Sequence, residues 1–293
     1  MSILNRPSDG LLSVLLALRR ALIAYGAQPY DDLVELVAPA SVTTPEMAKH
    51  TLTRWTQLGF FSESDGKIRL SDAVSTISLE DLDGLRAAVL RIILLPDNNA
   101  ELLSGEAEDS ERSRAVDCTR ALAWSLAQDP YAFPSSYDDG EKLQNHQGVA
   151  PKLFVNSTRW NGFVEWAVFM GAAWRTSRTV VPSPTFALRS ILGDVFQGST
   201  ELSEHDFFWR LPAILPVLDG GTYRTTVEGQ IARPWRKLLD HEVSPSLSAA
   251  LLTLEHEGAL RLEARSDAPV RRLLGPEGAE SRSVSHVVRL GVA

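Results

Sequence analysis

The sequence predicts a mainly α protein with small β-hairpins, an α+β chain, on three observations. Apolar residues recur at helical spacing along much of the 293 residues, with Gly or Pro where each run stops. Asp65-Gly66 lies between two short β-capable runs, the strongest local signal for a hairpin. A stretch near the carboxyl end also repeats the residue pattern of one near the amino end.

Ser8-Asp9 are placed to cap a first helix that runs to about Tyr25, where Gly26 and Pro29 end it. Tyr30-Asp31-Asp32 opens a second helix through Val37, closed by Pro39. A third begins after Thr44 with Pro45 in its first turn and ends near Leu58, with Gly59 as its terminator. Phe60 to Ser64 and Lys67 to Leu70 then flank the Asp-Gly turn. Helix, helix, helix, hairpin is the order of a winged helix-turn-helix, expected over residues 1–75.

Residues 76–201 read as a central helical domain. Leu79 to Leu95 and Ser110 to Gln128 are expected helices, stopped by Pro96 and Pro130, and Pro130 to Pro151 reads as loop. From Ser157 a helix apolar on most sides is expected to run to about Trp174, with Trp160, Phe163, Val164, Ala167, Met170 and Trp174 on one face. Residues 202–293 are expected to form a second winged-helix-like domain. Shifting the chain by 199 positions sets Leu251 on Leu52, Leu254 on Trp55, Gly258 on Gly59 and Ala259-Leu260 on Phe60-Phe61. Its hairpin would be long, out along Leu260 to Arg265 and back along Ser281 to Leu290, with Arg271-Arg272 at the tip.

The formal charge is −8 and the pI about 5.3, so a protein that coats nucleic acid by bulk charge is excluded. The acidity is uneven. Residues 1–75 hold 7 basic and 8 acidic side chains, 76–201 hold 11 and 17, and 202–293 hold 11 and 12. Each outer segment is therefore close to neutral, and a local DNA contact stays open there. Cys118 is the only cysteine, which fits a reducing compartment and a cytoplasmic address. Leu11 to Leu18 imitates a signal-peptide core, but its flanks favour a folded helix, and no uncharged apolar run reaches the roughly 18–20 residues of a membrane span.

Helical spacing turns Ala48, Leu52, Trp55 and Leu58 inward and Lys49, His50, Thr53, Arg54 and Gln57 outward. Those outward types suit DNA: Arg and Lys bind guanine edges or phosphate, Gln reads adenine, and Thr reaches phosphate. Lys67 and Arg69 on the hairpin are placed for flanking phosphates. A merely solvated helix face would look similar. In the repeat, the outward positions Ser248, Ala249, Leu252, Glu255 and His256, with Glu257 beside them, suit a protein partner better, while Arg271, Arg272 and Arg282 are candidate wing contacts. The first helix, apolar around its axis from Leu11 to Ile23, is expected to pack within the chain or, less favoured, in a homodimer.

No enzyme signature emerges. The six histidines His50, His146, His205, His241, His256 and His286 are scattered, without zinc-like spacing, so no metal is expected. There is no nucleophile elbow and no phosphate loop, and Gly220-Gly221 lacks the residues that would complete one. His241-Glu242 and His205-Asp206 read as surface pairs. No catalytic residue and no cofactor is expected.

Three stretches carry a resemblance: Met1-Ser2-Ile3-Leu4-Asn5-Arg6-Pro7-Ser8-Asp9-Gly10, Leu52-Thr53-Arg54-Trp55-Thr56-Gln57-Leu58-Gly59, and Thr158-Arg159-Trp160-Asn161-Gly162-Phe163. Together they resemble the DpdG family, accessory proteins of bacterial gene clusters that place 7-deazaguanine bases in DNA and restrict unmodified DNA. The resemblance implies a phage-defence role beside larger helicase-, nuclease- or ATPase-like partners, and brings no catalytic residues. The expected function is a non-enzymatic DNA-binding or adaptor subunit of such a complex, contacting double-stranded DNA and other defence proteins but no membrane. The alternatives are a protein-binding scaffold, similar to the tandem winged-helix subunits of SMC-type complexes, and a dimeric winged-helix transcriptional regulator.

Overall fold

A computed structural model describes residues 3–4, 11–104, 114–177, 179–233 and 235–291. The expected Ser8-Asp9 cap and the expected helix start at Ser110 lie outside the described residues. The chain is α+β. In order, its elements are α1 (Leu12–Tyr25), β1 (Gln28–Pro29), α2 (Tyr30–Val37), α3 (Glu46–Leu58), β2 (Phe61–Ser64), β3 (Lys67–Leu70), α4 (Leu82–Leu94), α5 (Ala100–Ser104), α6 (Val116–Ala127), α7 (Tyr137–Gln147) and α8 (Ser157–Phe169). There follow β4 (Ala173–Arg175), β5 (Val180–Pro182), α9 (Thr185–Phe196), β6 (Glu201–Ser203), α10 (Glu204–Ile214), α11 (Thr222–Gly229), β7 (Glu242–Val243), α12 (Pro245–His256), β8 (Leu260–Glu263), β9 (Arg271–Leu274), β10 (Glu280–Val284) and β11 (His286–Arg289). Among the described residues no helix is long and apolar enough to cross a membrane.

Contacts divide the chain into two compact units, Met1–Thr119 with Val155–Trp166 and Arg120–Phe154 with Ala167–Ala293. Residues 76–201 fall partly in each unit of this division.

The first unit opens as expected. Gly26 (φ 74) closes α1 and Gly59 (φ 93) closes α3, conformations that glycine adopts without steric cost. Asp65 (φ 53) and Gly66 (φ 69) make the β2–β3 turn with both central residues left-handed. Gln28 and Pro29 add a strand that the sequence reading lacked: β1 pairs antiparallel with β3, giving the order β1-β3-β2. Arg19, buried on α1, donates to the carbonyls of Ile77 (2.7 Å) and Ser78 (2.8 Å) and so ties the segment after the sheet to that helix. Asp81 caps α4 by accepting from the Gly84 N–H at 2.8 Å, so this helix starts at Leu82, three residues later than expected. Asn98, also buried, donates to the Leu58 carbonyl at 3.0 Å and to that of Ile92 at 2.7 Å, satisfying buried last-turn carbonyls of α3 and α4.

In the second unit the order α9, β6, α10, α12, β8, β11 repeats α1, β1, α2, α3, β2, β3, and its sheet order β6-β11-β8 repeats β1-β3-β2. The equivalence extends to single hydrogen bonds. Gly59 donates to Thr56 and Phe60 to Trp55, and 199 positions on Gly258 donates to Glu255 and Ala259 to Leu254. Ser71 closes the first copy onto Phe60 as Leu290 closes the second onto Ala259. The repeat therefore starts at α9, upstream of residue 202, and contains two insertions. One holds α11 and β7; the other lies between β8 and β11.

That second insertion corrects the expected wing. The outward strand β8 pairs directly with β11 (Leu262 opposite Val287), while Arg271 and Arg272 lie in β9, in a separate sheet of order β10-β9-β7 whose β7–β9 pair is parallel. They are not at a hairpin tip. Residues 130–151 are corrected too, because they contain α7. Ser136 accepts from the Asp139 N–H, Asp138 and Asp139 suit the helix dipole, and Gly148 ends the helix left-handed. α8 stops at Phe169, where the chain turns at Gly171 (φ 71), so Trp174 falls in β4 and is 55% exposed. Ser248 is buried, with its hydroxyl donating to Val243 and accepting from the Leu274 N–H, and Glu242 is buried against Arg236 (2.8 Å); neither is the surface residue expected.

Arg265 bridges the two outer strands of the β6-β11-β8 sheet, donating to both carboxylate oxygens of Glu201 (2.8 and 2.9 Å) and to Glu263 (2.7 Å). These hydrogen bonds hold both carboxyl groups below the usual carboxylate range. A carboxyl whose pKa is lowered by folding adds stability above its unfolded pKa and loses it as pH falls through the folded value. Acidification from about pH 5 to pH 3 is therefore expected to lower the Tm of the native protein, and Arg265→Met to flatten that dependence in a pH series of thermal melts.

Candidate nucleic-acid interface

The expected inward face of α3 is present: Ala48, Leu52, Trp55 and Leu58 are buried, and so is Thr51. Trp55 is held edge-on to Phe60 (5.5 Å between ring centroids, 80°) and lies 5.0 Å from Trp166. This aromatic packing fixes the rotation of α3 about its axis, and with it the side chains on its other face.

Lys49, His50, Thr53 and Gln57 are exposed, as expected. Thr53 is partly committed, because its hydroxyl lies 3.2 Å from the Tyr30 hydroxyl, which also donates to the Lys49 carbonyl at 3.2 Å. Arg54 departs from the expectation. It is only 4% exposed, and its guanidinium donates to the Gln57 side-chain oxygen at 3.1 Å. Position 54 lies three residues after Thr51 and four before Leu58, so it borders the buried stripe, a relation already present in the spacing. Arg54 acts within the fold and leaves the outward set.

On the hairpin, Lys67 and Arg69 flank the buried Ile68 and so share the opposite face of β3. Ser64 stands opposite Lys67 and Ser62 opposite Arg69, and the Arg69 Nε donates to the Ser62 hydroxyl at 3.2 Å. The carboxylate of this strand pair, Glu63, belongs to the Ile68 register. Lys49, Lys67 and Arg69 have no carboxylate partner among the described residues. Exposed Asp31, Asp32, Glu35 and Glu46 lie in the same unit, so these cations make local points of contact and not a broad basic field.

The carboxyl-terminal arginines are committed elsewhere. Arg271 pairs with Glu204 (2.8 Å), donates to the Asp240 carbonyl (2.9 Å) and lies over the Phe208 ring. Arg282 pairs with Glu255 and donates to the Leu262 carbonyl, and Arg272, half exposed, is 3.7 Å from Glu280. Sequence reasoning missed the cleft beside Trp209 altogether. Its one available signal was the ring pair His205 and Trp209, four residues apart on α10.

The described residues of the three quoted stretches all lie in the first unit. Ile3 and Leu4 are buried, and a Cβ on Gly162 would stand 2.6 Å from the Leu4 carbonyl oxygen, so the start of α8 needs glycine where it meets Leu4. Helices, a small three-stranded sheet and a few exposed cations define an α+β protein with candidate contact residues on its first unit. A sequence model of the DpdG-like family matches residues 1–268, and the chain belongs to that family. No curated protein and no solved structure matches it.

Proposed function

We propose that the protein is a non-enzymatic, cytoplasmic DNA-binding or adaptor subunit of a 7-deazaguanine DNA modification and restriction system, with winged helix-turn-helix modules. Membership of the DpdG-like family supports the system. The order α1-β1-α2-α3-β2-β3, with β1 on β3, supports the first module. The observation that carries DNA contact is the exposed set Lys49 on α3 and Lys67 and Arg69 on the hairpin, all without a carboxylate partner among the described residues. Helix and wing would then grip phosphates at two places, with His50, Thr53 and Gln57 on the same exposed side of α3 as Lys49.

Lys49→Glu with Lys67→Glu is expected to abolish retention of a short duplex at ~50 mM salt without lowering the Tm, since both side chains are exposed. Unchanged retention rejects this face. Arg54→Glu is not a clean test, because it would bury a carboxylate.

A second reading, the protein-binding scaffold, is favoured by exposed Leu36, Val42 and Met47 in α2, the α2–α3 connection and α3, close in sequence to the exposed Asp31, Asp32 and Glu35. A protein that stays off DNA at ~50 mM salt but purifies with a neighbouring gene product belongs to this class.

A further inference from the structure

A cleft of about 680 Å³ in the second unit is lined by α10 and by the insertion that holds α11 and β7. One wall is an aromatic ledge. Trp209 is 75% exposed, and its indole is parallel to the His205 ring (4° between planes, centroids 6.4 Å apart), four residues earlier on α10. Leu239, 57% exposed, also lines the cleft. An open tryptophan and an open leucine lining one cleft leave apolar surface that a bound segment would cover.

The charges around the cleft determine what would bind. Arg271 is neutralised by Glu204, and Glu242 by Arg236. Asp219 and Glu228 both line the cleft and share one guanidinium, that of Arg224, whose side chain is 2% exposed, so one negative charge remains in excess. Asp240, exposed, has no ion pair among the described residues. Lys237 offsets one of these charges, and the balance stays negative. An anion would be repelled, whereas a cation gains from the carboxylates and from the negative face of an indole.

We propose that this cleft binds a partner protein through a basic side chain, arginine or lysine, set over Trp209 and against Asp240, with an apolar neighbour covering Leu239. The volume suits a short extended segment rather than a lone side chain. This inference goes beyond the DNA-facing reading and is independent of it.

The test is calorimetric titration of the full chain with acetyl-Leu-Arg-Leu-Arg-amide, with acetyl-Leu-Glu-Leu-Glu-amide and AMP as controls. The basic peptide is expected to bind saturably and the controls not to. Trp209→Ala and Asp240→Asn, both exposed and so expected to leave Tm unchanged, should each weaken binding about ten-fold. No saturable binding of the basic peptide, equal binding of the acidic peptide or of AMP, or equal affinity in both variants overturns the proposal. Lys49→Glu with Lys67→Glu should leave peptide binding intact, so this reading and the DNA reading fail separately.

Discussion

Trp55→Ala is expected to destabilise the first unit by roughly 3–5 kcal/mol, the usual cost of emptying a fully buried tryptophan site. Trp55 is wholly buried, edge-on to Phe60 and beside Trp166, so truncation removes contacts to both rings at once. The Phe60 N–H donates to the Trp55 carbonyl in the turn that ends α3, so the cavity opens next to the turn leading into β2. Two consequences should appear together. Chemical denaturation should show an earlier transition for this unit, and any duplex binding should fall because the rotation of α3 is no longer fixed. Trp55→Phe, which keeps a ring against Phe60, should recover a large part of the loss. A Trp55→Ala protein with wild-type stability would contradict this packing.

Arg224→Met is the second large effect, expected to cost about 3 kcal/mol in the second unit, toward the lower end for a broken buried pair because its partners are partly exposed. Arg224 reaches Asp219 at 3.6 Å and hydrogen-bonds to Glu228 within α11, and Asp219 in turn accepts from the Ser244 N–H at 2.7 Å, just before α12. Removing the guanidinium leaves two carboxylates side by side with no counter-charge. Adding Asp219→Asn and Glu228→Gln should restore much of the stability at neutral pH, which distinguishes lost charge pairing from lost packing. Arg224→Met at wild-type stability in urea titration would show that the arginine does not organise this region.

What the sequence made legible was local. Gly26, Gly59 and Asp65-Gly66 mark boundaries through backbone geometry, and α1, α2, α3 and the first hairpin fall where those residues place them. The repeat was legible through Gly258 and the buried Leu251 and Leu254, which occupy the places of Gly59, Leu52 and Trp55. Long-range pairing was not legible. Nothing in Arg271-Arg272 announces a parallel partner at Glu242-Val243, so a separate sheet was read as one long wing. α7 was hidden for a different reason: its buried side chains include Gln144 and Gln147, and polar residues leave no apolar period to find. The Gln144 amide accepts from the Leu153 and Phe154 N–H groups and donates to the Phe154 carbonyl, links formed only once the chain has folded back.

Within the candidate face, side-chain types were legible and commitments were not. Lys49, Lys67 and Arg69 stand open, while Arg54 turns to Gln57 and the carboxyl-terminal arginines to Glu204, Glu255 and Glu280. A positive residue in a helix pattern is a DNA candidate only until its carboxylate or amide partner is known.

The salt dependence of duplex binding tests the central claim most directly. With about three phosphate contacts, from Lys49, Lys67 and Arg69, log Kobs against log salt should fall with a slope near −3, and Lys67→Glu should make it shallower by about one. A duplex that is not bound at ~50 mM salt, or a slope that Lys49→Glu and Lys67→Glu leave unchanged, would contradict a DNA-gripping role for this face.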